Sequence, residues 1–125
     1  MVLTFVRAGV RCAILAANVR GIAPTGQATR VPGAPRPLRG VIAWRGAVVP
    51  IVEPTEHVAE SWKAAVIVSG EAGDMALAAD TVEGWIERAS ASLVLDIDGI
   101  QQRLRERIRR GSEKVRPPTD TEYTR

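Results

Sequence analysis

The sequence has one cysteine and one histidine among its 125 residues. Cys12 on its own excludes a disulfide framework within the chain. With His57 as the single histidine, a Cys/His zinc site cannot be assembled from this chain alone. Aromatic residues are also few, five in all, and the longest apolar runs, such as 47–52, are far shorter than the ~20 residues of a membrane-spanning helix. We therefore expect a cytoplasmic protein without a metal ion or a cofactor.

The length and composition are those of one folded domain. Hydrophobic residues make up 46% and charged residues 25% of the chain, which excludes wholesale disorder. The apolar run 12–17 is too short for a signal peptide, so secretion is not expected. The net charge is only +3, but the basic residues concentrate near the end: Arg103, Arg105, Arg107, Arg109, Arg110, Lys114 and Arg116. The rest of the chain is close to neutral, unlike a dedicated nucleic-acid surface.

The first half of the chain reads as short strands. β-prone residues at 2–6 precede the turn Ala8-Gly9, and an alternating strand follows over 10–17, so the two form a hairpin. A third short strand is predicted over 18–23. Four prolines between residues 24 and 39 exclude a long helix or a central strand there. Residues 40–52 form the clearest hairpin, turning at Arg45-Gly46, with Pro50 indicating an edge strand or a bulge in the second arm.

The second half continues with strands and ends in a helix. The pattern predicts a buried strand over 64–69, a pair formed by 75–79 and 82–88, and one more short strand over 93–95. Residues 96–110 have helical periodicity, with Asp96 or Asp98 as the N-cap and Gly111 as the stop. Ile97, Ile100, Leu104 and Ile108 form one apolar stripe. The predicted domain spans 1–111, followed by a flexible polar tail over 112–125.

No catalytic arrangement emerges from the residue spacing. Neither the carboxylates Asp74, Asp80 and Glu83 nor the pair Asp96 and Asp98 are spaced to flank a substrate, and capping is the better use of the second pair. His57 lies in a polar loop, and Cys12 is expected to be a small core residue rather than a reactive thiol. Residues 25–30 lack the glycines and the lysine of a phosphate-binding loop. We therefore expect no enzymatic activity and no small-molecule substrate.

Two kinds of binding surface remain. The arginine-rich helix is a candidate for nucleic acid, although arginines at every second position wrap around a helix and Glu106 interrupts them. The alternative is a protein-binding surface, because tryptophan and arginine are favoured interface anchors. Trp44 beside Arg45 at a hairpin tip is the best placed of the three tryptophans, which are Trp44, Trp62 and Trp85. Burial of Trp44 in the core is an equally good interpretation.

Several segments together resemble the CheW-like domain family. The segments 3–5, 9–14 and 19–22 are similar to the family's opening strands. Residues 31–35 and 38–42 are similar to its Val-Pro-x-x-Pro and Gly-Val-Ile segments. Residues 44–53, which read Trp-Arg-Gly-Ala-Val-Val-Pro-Ile-Val-Glu, resemble its most recognisable stretch, Asn-x-Arg-Gly-x-Val-Val-Pro-Val-Ile-Asp. The later strands and the closing helix are also similar, so that the resemblance covers nearly all of residues 2–104.

The chain also departs from the family pattern. Ala43 stands in place of the family asparagine, Gly21 in place of its glutamate and Cys12 in place of its tyrosine. Glu53 replaces the family aspartate, and Pro54 replaces its leucine. The segment between 82–86 and 93–96 is much shorter than in typical members. This shortening predicts that one hairpin has been trimmed.

The resemblance implies a fold and a role. The fold is all-β, with two small SH3-like β-barrels, the second one trimmed, and a C-terminal α-helix. The implied role is that of a non-enzymatic adaptor in chemotaxis-type signalling, which joins the regulatory domain of a histidine kinase to the cytoplasmic tips of chemoreceptors. An alternative is a degenerate member that has lost receptor binding and only forms homo-oligomers. Carried over by position, Arg45 is the family's partner-facing arginine, and Val19 and Val41 are contact or supporting positions. Trp44 and Gly46 complete the predicted partner-binding set.

Overall fold

The computed structural model describes residues 1–24, 28–31, 33, 37–55, 61–91 and 93–114, with side chains as far as residue 110. Nine strands and one α-helix occupy these ranges. The strands are β1 (Val2–Arg7), β2 (Val10–Leu15), β3 (Val19–Pro24), β4 (Ala28–Arg30), β5 (Leu38–Trp44), β6 (Ala47–Val52), β7 (Ala64–Gly70), β8 (Gly73–Ala79) and β9 (Thr81–Ile86). The helix α1 (Ile97–Lys114) follows. None of the described helices is long and apolar enough to span a membrane.

The strands form two sheets. A three-stranded sheet has the order β2-β1-β9, and a six-stranded sheet has the order β3-β7-β8-β6-β5-β4. All pairings within them are antiparallel except the short parallel contact of β6 with β8, at Ile51 and Val52. The predicted all-β fold with a closing helix is confirmed. The smaller sheet unites β1 and β2 from the start of the sequence with β9 from its later part.

Two apolar cores fill the structure. The first lies between the two sheets, where Leu3, Phe5, Cys12 and Ile14 meet one face of β7 and β8. The second lies on the other face of those strands, inside the six-stranded sheet, and its buried members are Ala23, Ile42, Val49, Ile51, Trp62, Ala65, Ile67, Ala76 and Ala78. Because β7 and β8 are covered on both faces, residues 65–68 and 75–79 are continuously buried, as expected for central strands. The predicted buried strand over 64–69 is thus confirmed.

Helix α1 closes the first core. Ile97, Ile100 and Leu104 are buried against it, whereas Ile108 is 42% exposed, so only the first three members of the predicted stripe pack. The Asp96 carboxylate accepts a hydrogen bond from the Gly99 N–H at 3.1 Å, which confirms it as the cap. The predicted stop at Gly111 is wrong, because the helix continues to Lys114. A glycine without a left-handed backbone does not by itself end a helix.

The turn between β7 and β8 holds the helix in place. Asp98 Oδ1 accepts a hydrogen bond from the Glu71 N–H at 2.8 Å. The buried amide of Gln101 accepts one from the Ala72 N–H at 3.2 Å and donates one to the Gly73 carbonyl at 2.8 Å. These bonds satisfy turn backbone groups that lie next to the core. Asp98 therefore joins the helix to the sheet instead of capping it.

Two other predictions differ from the structure. β8 and β9 do not pair with each other, because the chain crosses from one sheet to the other at Asp80 and β9 pairs with β1. Residues 93–95 contribute one parallel bridge, from Val94 to Ala13 on β2, rather than a strand. The proline-rich connector includes the short edge strand β4, which agrees with the exclusion of a central strand there. The predicted loop position of His57 lies outside the described residues.

Candidate partner-binding surface

The tip of the β5–β6 hairpin is a two-residue turn made by Arg45 and Gly46. Both residues have positive φ, +48° and +82°, which is the arrangement of a type I′ turn and matches the twist of the flanking strands. The first hairpin turns in the same way, with φ of +50° at Ala8 and +79° at Gly9. The predicted glycine turn at residues 45 and 46 is therefore confirmed. The turn presents the Arg45 side chain to solvent.

Trp44 fixes the base of this tip. Its half-buried ring packs against the second core, and the Arg45 guanidinium carbon lies 5.0 Å from the ring centroid, within cation–π range. A Cβ built on Gly21 of β3 would lie 2.5 Å from Trp44 Cη2, so the indole covers this glycine closely. Trp44 is thus only partly buried. Its inner part belongs to the core, and its ring supports the arginine.

The contact between Trp44 and Gly21 shows that the larger sheet curls. β3 ends one side of that sheet, whereas β5 lies next to its other end. A side chain from β5 reaches β3 only if the two ends of the sheet bend towards each other, as in a barrel. Gly21, which stands where the family has a glutamate, leaves the room that the indole occupies. A side chain at position 21 would therefore displace the Trp44 ring.

The other predicted site residues lie apart from the tip. Val41 is half-buried between Thr29 of β4 and Pro50 of β6. It lies on the face of β5 opposite to Ile42 and Trp44 because side chains alternate along a strand. Val19 packs at the margin of the first core. The structure brings together Trp44, Arg45 and Gly46, and it places Val41 and Val19 elsewhere.

Val41 belongs to an apolar strip on the outer face of the hairpin. Its neighbours on that face are Ala43, Pro50 and Val48, which is 71% exposed. We call Val41, Ala43, Arg45, Val48 and Pro50 the hairpin surface. Pro50 lies in β6, an interior strand of the sheet, but β8 pairs with β6 only from Ile51 onwards. The first half of β6 is therefore an edge, as Pro50 predicts.

A buried charge cluster at the base of the β5–β6 hairpin joins the two sheets. Arg7 of β1 has no solvent exposure, and its guanidinium binds Glu53 in bidentate fashion, with Nε to Oε1 at 2.8 Å and Nη2 to Oε2 at 2.6 Å. Its Nη1 donates to Asp80 Oδ1 at 2.9 Å and to the Ser61 carbonyl at 2.5 Å. The hydrogen bond to Glu53 is the main cause that raises the pKa of Arg7 above its ordinary value.

Further groups complete this cluster. Asp80 Oδ2 also accepts a hydrogen bond from the Ala8 N–H at 2.8 Å, so the carboxylate holds both the arginine and the first hairpin turn. Arg39 Nε lies 3.4 Å from Glu53 Oε2. The Arg39 and Arg30 guanidinium carbons lie 6.0 Å and 5.0 Å from the ring centroid of buried Trp62. Sequence reasoning missed the cluster. The only local signal was an arginine at the end of an apolar strand.

The carboxylates and the cysteine considered as catalytic candidates have structural roles. Glu83 pairs with Arg11 on the smaller sheet at 2.9 Å, and Asp80 serves the buried cluster, so these carboxylates do not face each other across a cleft. Cys12 is fully buried, and burial raises the pKa of its thiol to about 11. It is a core residue, as predicted. Within the described ranges no group of three or more His, Cys, Asp or Glu side chains is placed to hold a metal ion.

The fold and this surface define a small β domain that presents a rigid hairpin tip, without an assembled catalytic centre in the described residues. The sequence model of the CheW-like domain family matches residues 1–114. The chain therefore belongs to the CheW-like domain family. No curated protein matches it significantly.

The structural comparison supports the same fold. The chain is similar to the scaffolding protein TtCheW from Thermoanaerobacter tengcongensis, with a TM-score of 0.55 and 18% sequence identity over 68% of this chain and 62% of that one. The chain thus covers less than two thirds of the length of TtCheW.

Proposed function

We propose that the protein is a non-enzymatic adaptor of a chemotaxis-type signalling system in the cytoplasm. It binds the regulatory domain of a histidine kinase and the cytoplasmic tip of a chemoreceptor, and so couples the two. The observation that carries this proposal is the hairpin tip, where Arg45 is exposed on a turn that Trp44 anchors to the core. Membership in the CheW-like family supports the assignment.

The hairpin surface has the composition of a protein interface. Arginine and tryptophan dominate binding energies at interfaces, especially where neighbouring apolar groups exclude water from them. Here the partly exposed apolar strip of Val41, Val48 and their neighbours covers one face of the hairpin, and the Arg45 guanidinium lies over the Trp44 ring at the tip. The partner that this surface fits offers an apolar patch with an acidic group at its margin. We propose Gly46 as a supporting position of this surface and Val19 as a supporting position at the margin of the first core.

The turn geometry favours recognition over catalysis. Because a two-residue turn and the stacked indole restrict Arg45, little conformational entropy is lost when a partner orders the guanidinium. The buried cluster of Arg7, Glu53 and Asp80 joins the two sheets into one body. A rigid platform with modest contact area suits an adaptor whose complexes assemble and rearrange.

The test is binding of the full chain to the regulatory domain of its cognate histidine kinase by isothermal titration calorimetry. We expect binding at tens of micromolar or tighter, weakened about tenfold by Arg45→Ala because an interface arginine is lost. The thermal midpoint should stay nearly unchanged, since Ala and Arg have similar backbone restrictions at positive φ. The matched control is Arg11→Ala, an exposed arginine on the other sheet, which should bind like the native chain. Absence of binding at these concentrations would refute the proposal.

One observation favours a second candidate function, binding of nucleic acid by α1. Arg103, Arg105, Arg107, Arg109 and Arg110 are all exposed, and the first, third and fifth share a helix face by their spacing. This alternative predicts retention of RNA or DNA that weakens steeply as salt increases and is lost on deletion of residues 103–125. Absent or salt-insensitive retention would eliminate it.

A further inference from the structure

The indole of Trp62 carries a buried hydrogen-bond donor without an acceptor. Trp62 is 8% exposed, and its ring packs among the residues of the second core. Its Nε1 atom makes no hydrogen bond, although an indole N–H can only donate and a buried donor normally has a partner. An unpaired donor at the margin of a core indicates a place for an acceptor that the described residues do not supply.

Two arginines lie over the same ring. The guanidinium carbons of Arg30 and Arg39 are 5.0 Å and 6.0 Å from the Trp62 ring centroid, within cation–π range. Arg30 is exposed and belongs to the edge strand β4. Ala28 of β4 packs against the second core, and Arg30 shares its face because side chains alternate along a strand. Since Nε1 is an atom of the ring, the indole N–H and both guanidinium groups lie within one small region.

The described charges around this region do not balance. Arg39 Nε lies 3.4 Å from Glu53 Oε2, but Arg7 already binds both oxygens of that carboxylate. Asp80, the second carboxylate of the cluster, also binds Arg7. Arg30 makes no ion pair with a described residue. Three arginines thus meet two carboxylates, and the surplus positive charge lies on the exposed Arg30.

We propose that Trp62, Arg30 and Arg39 form a binding site for a carboxylate. A carboxylate has two oxygens, so it accepts a charge-assisted hydrogen bond from an arginine and a second bond from the indole N–H. Its single negative charge matches the surplus, which a phosphate dianion would exceed. The ligand approaches from the side of Arg30, because that side chain is exposed and long enough to move aside. The site shares no residue with the hairpin surface and does not depend on the proposed binding of kinase or receptor.

The experiment that tests this site is an NMR titration of the isotope-labelled full chain, which resolves the indole N–H signals of the three tryptophans. After sequential assignment, we expect sodium acetate to move the Trp62 signal to higher proton frequency, because a new hydrogen bond deshields the proton. The shift should saturate with acetate in the millimolar range. Sodium chloride at equal ionic strength measures the effect of salt alone. A Trp62 signal that stays in place, or moves equally in both salts, would overturn the proposal.

Substitution of Arg30 tests whether the arginine takes part. Arg30→Gln should raise the dissociation constant of acetate about fivefold or more, because a charge-assisted hydrogen bond is lost. The matched control is Arg11→Gln, an exposed strand arginine of the smaller sheet, which should keep the native affinity. Both positions are exposed, so neither change should unfold the chain, and the dispersion of the amide signals verifies this. Native affinity in Arg30→Gln would contradict the assignment.

Further ligands identify the source of the carboxylate. The peptide Gly-Glu-Gly with blocked ends offers a glutamate side chain alone. Tighter binding than acetate supports the site and assigns it to an acidic polypeptide, and weaker binding supports it and assigns it to a free carboxylic acid. Inorganic phosphate in its dianionic form should bind more weakly than acetate, and tighter binding of phosphate would overturn the choice of a carboxylate.

The last control concerns the chain's own glutamates. Glu56 and Glu60 lie close to Trp62 in the sequence. If the site accepts an external carboxylate, the Trp62 indole signal without ligand should be the same in Glu56→Gln, Glu60→Gln and the native chain. A signal that moves to lower proton frequency in either variant would show that the chain fills the site itself, and would overturn the proposal.

Discussion

At the scale of single residues, the decisive group is the arginine at the end of β1. Arg7 is fully buried, yet each of its three guanidinium nitrogens faces an oxygen of Glu53, Asp80 or Ser61. Charge removed from water is tolerated only when it is paired and hydrogen-bonded. The cluster therefore defines how the two sheets and the chain crossing at Asp80 fit together, more than it adds net stability.

Removing Arg7 should destabilise the fold strongly. We expect Arg7→Ala to lower the free energy of unfolding by roughly 3–5 kcal/mol, because the Glu53 carboxylate is left buried with its main partner missing. Urea unfolding measures the loss. Arg11→Ala is the matched control, because its pair with Glu83 is exposed, and should cost less than about 1 kcal/mol. Similar losses in the two variants would show that burial of the cluster is unimportant.

The buried thiol predicts a dependence on alkaline pH. Burial raises the pKa of Cys12 from its ordinary 9.0 to about 11, so the unfolded chain loses the thiol proton before the folded chain does. Stability is then complete below pH 9 and falls as the pH rises towards about 11, by roughly 2–3 kcal/mol for two pKa units. Urea unfolding at pH 8 and pH 11 should show this extra loss in the native chain and not in Cys12→Ala. Parallel losses in both proteins would disprove it.

Sequence reasoning at this scale succeeded where the signal is local. The turns at Ala8-Gly9 and Arg45-Gly46 follow from glycine next to β-prone runs, and the Asp96 cap follows from its place before a helical stripe. The partners of Arg7 could not be predicted from the sequence. Glu53 and Asp80 lie 46 and 73 positions away, and no spacing rule connects residues that meet only after the sheets have packed.

At the scale of elements, the curl of the six-stranded sheet sets the position of the hairpin tip. The indole of Trp44 spans from β5 to Gly21 on β3, and thereby links strands from opposite parts of the sheet. This contact joins the tip to the second core. The orientation of Arg45 depends on it, because the guanidinium lies over the same ring.

A side chain at position 21 should disturb this closure. We expect Gly21→Ala to lower the free energy of unfolding by about 1–3 kcal/mol, because the new methyl group overlaps the Trp44 ring and forces it aside. Guanidinium unfolding followed by tryptophan fluorescence measures both the loss and the altered indole environment. In the background Trp44→Leu the same substitution should cost clearly less, as a double-mutant cycle reveals. An equal cost in both backgrounds would mean that the two residues do not interact.

The elements themselves were largely predictable, and their pairing was not. Alternation, β-prone runs and glycine turns located the strands β1, β2, β3, β5 and β6, and a continuous apolar run located β7, which is buried on both faces. The partner of β9 was assigned wrongly, since a one-residue link at Asp80 looks like a hairpin turn but carries the chain to the other sheet. The end of α1 was also missed, because Gly111 is compatible with continued helix.

At the scale of the whole molecule, the two sheets present different surfaces. The curled sheet carries the hairpin surface, whose arginine lies over Trp44 at the tip. The smaller sheet joins β9 to β1, and β9 pairs with no other described strand. The proposed partner binding therefore involves the larger sheet.

The adaptor hypothesis is tested most directly by bridging. Receptor cytoplasmic fragments are immobilised, and the kinase regulatory domain is applied with and without this protein, with Arg45→Ala in parallel. The adaptor hypothesis predicts that the kinase domain is retained only when the native chain is present, and several-fold less with Arg45→Ala. Kinase retention that does not depend on the chain, or a chain that binds neither partner, would contradict it.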